Sequence, residues 1–126
     1  MSLAIQLAKN SSAHDRQIGC VIVTTDDRSI LGIGYNGTPP GTPNRATPDG
    51  DSSGYIHAEV NAVNDVRVLD ARPRKAYITL SPCKNCASLL ADYNIEEVIY
   101  LEKHSKLEGL AELDKDEISH RQYLRD

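Results

Sequence analysis

Residues 75–86 read Lys75-Ala76-Tyr77-Ile78-Thr79-Leu80-Ser81-Pro82-Cys83-Lys84-Asn85-Cys86, and this run decides how the chain is built. Residues 75–80 look like a short strand, and Ser81-Pro82 offers a helix start, with Ser81 suited to the N-cap and Pro82 to the first helical position. Cys83 and Cys86 then fall in the first helical turn. Three residues apart, they share one face, where the helix's N-terminal partial positive charge draws a thiol toward its thiolate. Residues 98–101 follow Asp92-Tyr93-Asn94 and form the next strand, parallel to 75–80 because a helix separates the two.

Working outward, Ala58, Val60, Ala62, Val63, Val66 and Leu69 recur at helical spacing, which puts His57 at the N-terminus of a second helix. Two helix starts aimed at one point from neighbouring strands place a site at a sheet's end. Residues 18–23 and 30–35 are near-continuous apolar runs joined by residues 24–29, and predict a hairpin buried on both faces. Leu3, Ala4, Leu7 and Ala8 give a short amphipathic helix over 3–10. A helix over 106–113 is expected, while 114–126 is charged enough to form a mobile tail or an interface arm. With no repeats and no linker, 1–126 reads as one α/β domain.

The composition restricts the function classes. There is no Trp or Phe, so aliphatic residues and some of six Tyr must fill the core. Net charge is −4, and the longest basic cluster is Arg72-Pro73-Arg74-Lys75, which argues against a general nucleic-acid surface. No membrane-length apolar segment or signal-peptide pattern is present, and free thiols suit a reducing cytoplasm.

His57-Ala58-Glu59 and Pro82-Cys83-Lys84-Asn85-Cys86 together supply three zinc ligands, His57, Cys83 and Cys86, and a carboxylate that need not be a fourth. Three protein ligands leave a coordination position open to water, and Glu59 can carry protons between water and an amine leaving group. That is hydrolytic deamination, and this pairing of motifs is the known signature of zinc nucleobase deaminases. Two rivals use the same cysteines. A lone Cys-x-x-Cys after a strand also serves thiol–disulfide redox chemistry. A closed structural zinc site would need a fourth ligand, from Cys20, His14, His104 or His120, and would not need Glu59.

The stretch 37–54 holds four Pro and four Gly, which predicts a long loop without regular structure, and such loops are often functional. Its entry, Gly34-Tyr35-Asn36-Gly37-Thr38-Pro39-Pro40-Gly41, fits the G-Y-N-G-x-P-x-G pattern of deoxycytidylate (dCMP) deaminases. With Arg16-Gln17-Ile18-Gly19, His57-Ala58-Glu59-Val60-Asn61-Ala62 and Thr79-Leu80-Ser81-Pro82-Cys83, the chain resembles that family over most of residues 14–102. The resemblance implies a three-layer α/β/α cytidine-deaminase-like sandwich around a mixed sheet, with strands three to five parallel. It also implies Zn2+ on His57, Cys83 and Cys86, proton transfer by Glu59, and contact of Asn36 with the deoxyribose and base. Family members commonly form homohexamers, and many respond to dCTP and dTTP with Mg2+; the resemblance places such effectors beside the 37–41 loop, with Gly37 and Thr38 as contacts.

The expected reaction is dCMP plus water to dUMP plus ammonia, supplying dUMP for thymidylate synthesis. In it the Cys83 backbone N–H holds the developing tetrahedral centre, and the Ala58 N–H reads the pyrimidine carbonyl. Asn36 suits a buried contact because its amide both donates and accepts, although Asn-Gly also forms turns readily. Arg16 is the candidate for the 5′-phosphate, since a guanidinium grips phosphate bidentately. Two departures bear on recognition and control: His104 stands near where members often carry a Tyr against the pyrimidine, and Asn64-Asp65 where regulated members often show a bulky apolar residue. A dual dCMP/dCTP deaminase, a nucleic-acid-editing deaminase and a structural zinc module are the alternatives.

Overall fold

The computed structural model describes residues 1–11, 16–37, 56–66 and 72–124. In chain order the elements are α1 (Ser2–Ala8), β1 (Gly19–Thr24), β2 (Ile30–Tyr35), α2 (Ala58–Asp65), β3 (Arg74–Leu80), α3 (Lys84–Asp92), β4 (Ile95–Glu102), α4 (Glu108–Lys115) and β5 (Ser119–Gln122). The strands form one sheet in the order β2-β1-β3-β4-β5. β1 runs antiparallel to both β2 and β3, whereas β3, β4 and β5 are parallel, as expected of strands joined through helices.

β1 is buried along its whole length because its alternating side chains meet two different cores. Cys20 and Ile22 point into the larger core with Ala62, Val63, Ile78, Leu90, Val98 and Leu113, beneath α2, α3 and α4. Val21 and Val23 face the other way and pack with Ala4 and Leu7 of α1 and with Tyr77. The result is an α/β/α arrangement whose second helical layer, among the described residues, is the single short α1. None of the helices there is long and apolar enough to cross a membrane.

Four expectations change. The hairpin is buried on both faces only in β1; β2 is an edge strand, and Ile30, Ile33 and Tyr35 are exposed because α1 covers only the middle of the sheet. The helix after β3 starts two residues later than the N-cap residues imply, with Cys83 as N-cap. Ser81 is used otherwise: its N–H donates to the Glu102 carbonyl and its hydroxyl accepts from the His104 N–H, tying the ends of β3 and β4 together. The last helix is 108–115 rather than 106–113, and the charged segment after it is not a free tail, since Ser119–Gln122 pairs with β4. Ile118, inserted in the larger core, anchors that strand. His14, Thr38, Leu69 and residues 39–54 lie outside the described residues.

Candidate metal centre and active site

The carboxyl ends of parallel strands are where open α/β sheets bind ligands, because the loops and helix N-termini that follow converge there. At that end β3 stops at Leu80 and β4 at Glu102, with Asn36 just past the end of β2 beside them. His57 is the N-cap of α2 and Cys83 the N-cap of α3. Each candidate ligand is thus fixed at the first turn of a helix whose inner face, Ala62 and Val63 in α2 and Ala87 and Leu90 in α3, packs into the core.

Two close backbone approaches set these helix starts. Gly34 of β2 faces α2 so tightly that a Cβ would strike the Ala62 N and the Ala58 carbonyl. Gly109 of α4 likewise lies against the Pro82 carbonyl, immediately before Cys83. Sequence reasoning missed Gly109; a glycine inside a helical pattern is the available signal, since it weakens the helix unless close packing requires it.

Among the described residues, His57, Cys83 and Cys86 form a cluster whose ligand atoms lie within 4.8 Å of one another. His57 Nδ1 is 3.3 Å from Cys86 Sγ and 3.7 Å from Cys83 Sγ. Tetrahedral zinc with its usual bond lengths requires N···S edges of about 3.5 Å. The donor set therefore fits zinc in both kind and spacing. Its electrostatics agree. Hydrogen bonds from Cys86 and then His57 hold the Cys83 thiol far down, at about 3. Cys86, donating to Cys83 and buried beside Glu59, is pushed up, and burial pushes the Glu59 carboxyl up as well. The hydrogen bond to Cys83 raises the His57 pKa against its burial. One thiol is thus already poised as a thiolate, and a divalent cation among the sulfurs would favour the same for Cys86.

Glu59 is 4 % exposed and, two residues beyond His57, lines a cavity of about 80 Å3 with His57, Cys83, Ile18, Asn36, Leu80, Ser81 and His104. Ala58 is fully buried in the first turn of α2. Asn36 lines the cavity, but much of its amide holds the wall together. Its Oδ1 accepts from the Ile18 N–H at 2.8 Å and from Ser11 Oγ at 2.6 Å, and its Nδ2 donates to the Arg16 carbonyl at 2.8 Å. The Arg16 side chain is exposed, and Arg16 lines a second cavity of about 160 Å3 that shares Leu80 with the first. Gly37 pairs with Ile56 through two backbone hydrogen bonds.

Of the other metal candidates, Cys20 and His120 stand apart from the cluster, while His104 lines the same cavity without joining it. Cys20 is buried in the sheet core, and His120 pairs with Asp114 at 2.8 Å. All three cysteines are free.

A family model described as the cytidine and deoxycytidylate deaminase zinc-binding region matches residues 1–102. The chain belongs to this deaminase family. Deoxycytidylate deaminase from Mus musculus is 34% identical over 110 residues, covering 80% of this chain and 61% of that protein. The deoxycytidylate deaminase of Mycobacterium phage D29 is 30% identical over 116 residues, covering 79% of this chain and 89% of the phage protein. The chain thus spans about three-fifths of its mouse relative and most of its phage relative. In fold, it superposes on a dCMP deaminase of cyanophage S-TIM5, solved with dCMP and dUMP, with a TM-score of 0.87 at 24% identity, covering 97% of this chain and 92% of that one. This likeness bears out the cytidine-deaminase-like architecture, including its parallel third to fifth strands.

Proposed function

We propose that this chain hydrolyses dCMP to dUMP and ammonia at a zinc centre held by His57, Cys83 and Cys86. The observation that carries the proposal is the buried Glu59 beside a cluster that, among the described residues, has three ligand residues rather than four, in a cavity lined by Asn36. Relatives named deoxycytidylate deaminase support the substrate. When bound, zinc supplies the Lewis acidity that makes hydroxide available near neutral pH.

The protein's own groups do the rest. Glu59 takes a proton from water, delivers one to pyrimidine N3, and later protonates the departing amino group. Its burial favours this traffic, since a carboxyl raised toward neutrality both accepts and returns protons readily. The Cys83 N–H, at a helix start, steadies charge developing at C4, and the Ala58 N–H reads the base carbonyl. Asn36, braced by Ile18, Ser11 and Arg16, presents an amide already fixed in orientation to the sugar and base. Arg16 is the guanidinium candidate for the phosphate. Homohexamer assembly, effector binding of dCTP and dTTP with Mg2+ at Gly37 and Thr38, and a cytoplasmic setting complete the proposal. The net charge of −4 favours a free nucleotide over a nucleic-acid strand.

The test is zinc content together with ammonia release from dCMP, dCTP, cytidine and a single-stranded oligonucleotide, for wild type and Glu59→Gln. Near-stoichiometric zinc in both proteins, with nucleotide turnover only in wild type, is the expected result. Preference for the oligonucleotide would point to editing. Loss of zinc in the variant would make Glu59 a ligand.

A further inference from the structure

Among the titratable residues of the cavity wall, His104 is the one the proposed chemistry leaves without a role, and its surroundings define what it can offer. It sits two residues past β4, at the carboxyl end of the sheet. Its backbone N–H donates to Ser81 Oγ at 2.7 Å, which pins the residue to the end of β3. Its Nδ1 accepts the Lys106 backbone N–H at 2.9 Å. An imidazole nitrogen that accepts carries no proton, so in the neutral ring the hydrogen is assigned to Nε2. The ring is therefore held by one nitrogen, which leaves the other as a donor on a residue that lines the cavity with Glu59, His57 and Cys83.

The neighbouring residues show which acceptor suits that donor. His104 lies in Lys103-His104-Ser105-Lys106, where both lysines and Ser105 are exposed in a chain that is acidic overall. No Lys or Arg is among the described residues lining the His104 cavity, so an anionic part of a ligand there meets fixed N–H groups before it meets a cation. The metal cluster and Glu59 claim the reacting end of a substrate. The other end of a nucleotide carries the phosphate. Resting on the dCMP reading above, we propose that His104, as a neutral Nε2–H donor locked by Lys106, binds a 5′-phosphate oxygen and so makes the site select nucleotide over nucleoside.

A matched pair of substitutions tests this. In His104→Asn the short amide keeps an acceptor for the Lys106 N–H but lacks the outward donor; in His104→Gln the longer amide extends a donor about as far as Nε2. Kinetics are measured on dCMP and deoxycytidine, with zinc content and melting temperature as controls. A contact remote from C4 contributes to binding rather than to the chemical step, so it acts on KM more than on kcat. For His104→Asn, KM for dCMP should rise roughly 10- to 100-fold, the range of a hydrogen bond to a charged group. kcat should hold, deoxycytidine turnover should not change, and His104→Gln should recover much of the loss.

Equal losses on dCMP and deoxycytidine would overturn the proposal, because they would mean that the ring packs on the base. So would an unchanged KM for dCMP, or a Gln variant no better than Asn. A wild type that is active on dCMP yet unaffected by His104→Asn sinks this assignment alone. A wild type that releases no ammonia from dCMP sinks the functional proposal and this one with it.

Discussion

The two ends of the sheet solve different problems. At the end holding Leu80, Glu102 and Asn36, polar groups are buried: Asn36, Glu59 and Ser81 are all at most 5 % exposed. Helix starts and close glycine contacts hold them there. At the opposite end lie the turns, and all three non-glycine residues with positive φ among those described, Asp27, Asn94 and Glu117, sit in them. There Arg74 and Lys75 are buried too, but Lys75 reaches out to an exposed carboxylate, Asp27, at 2.9 Å. Close glycine contacts and the buried cavity groups lie where chemistry needs fixed positions, and left-handed backbone where the chain merely reverses. Substitutions at the first end should therefore alter catalysis and metal binding, and those at the second only stability.

The largest expected effect is at Glu59. Glu59→Gln keeps the volume and removes the proton carrier, so deamination should fall by roughly 10²- to 10⁴-fold, with zinc and fold intact. Ammonia release and metal analysis on the same sample check this. Next comes Gly109→Ala. Its Cβ would overlap the Pro82 carbonyl, so α4 or the α3 start must shift, at about 1–3 kcal/mol of stability. Because Cys83 follows Pro82, zinc affinity should fall too. A chelator titration that finds full affinity in a destabilised protein would break the proposed distinction between the ends.

Much of the fold was legible because it was local. The Lys75–Leu80 run, the helix through Cys86 and the strand around Val98 each carry their own periodicity, and their order implies parallel pairing. The ligands were legible for the same reason. What escaped was long-range. Ser81 looked like an N-cap, but a partner 23 positions away, His104, takes its hydroxyl. Ser119-His120-Arg121-Gln122 has almost no β-forming composition; it pairs because Ile118 anchors it and β4 offers a free edge. No periodicity in the sequence could show that Asn36 binds Ile18, Ser11 and Arg16, or that Gly109 touches Pro82.

A smaller effect sharpens the contrast from the turn end. The hydrogen bond from Lys75 holds the Asp27 carboxyl below its ordinary value, with Tyr77 adding to it. A carboxyl lowered in the folded state stabilises the protein above its unfolded pKa, and that contribution fades as pH falls through the folded value. Asp27 is more than half exposed, so solvent screens the pair and Asp27→Asn should cost only about 0.5–1 kcal/mol at pH 7. The difference between wild type and variant should close as pH falls through the lowered Asp27 value. Denaturant midpoints across that range measure it, while activity at neutral pH should be unchanged.

The smallest effect has the opposite sign. α4 ends in a Schellman motif, in which the Glu117 N–H donates to the Asp114 carbonyl and the Ile118 N–H to the Leu113 carbonyl. Glu117, at φ 62°, occupies the left-handed position that glycine adopts without steric penalty. Its carboxylate also sits beside the negative end of the helix dipole. Glu117→Gly relieves both costs but adds freedom to the unfolded chain, which offsets part of the gain. A net stabilisation of about 0.5 kcal/mol should remain, read as a slightly higher melting temperature with zinc content and kinetics unaltered. Were this distant turn to change KM or metal affinity instead, β5 would have to transmit strain along β4 to His104, and the two ends would not be independent.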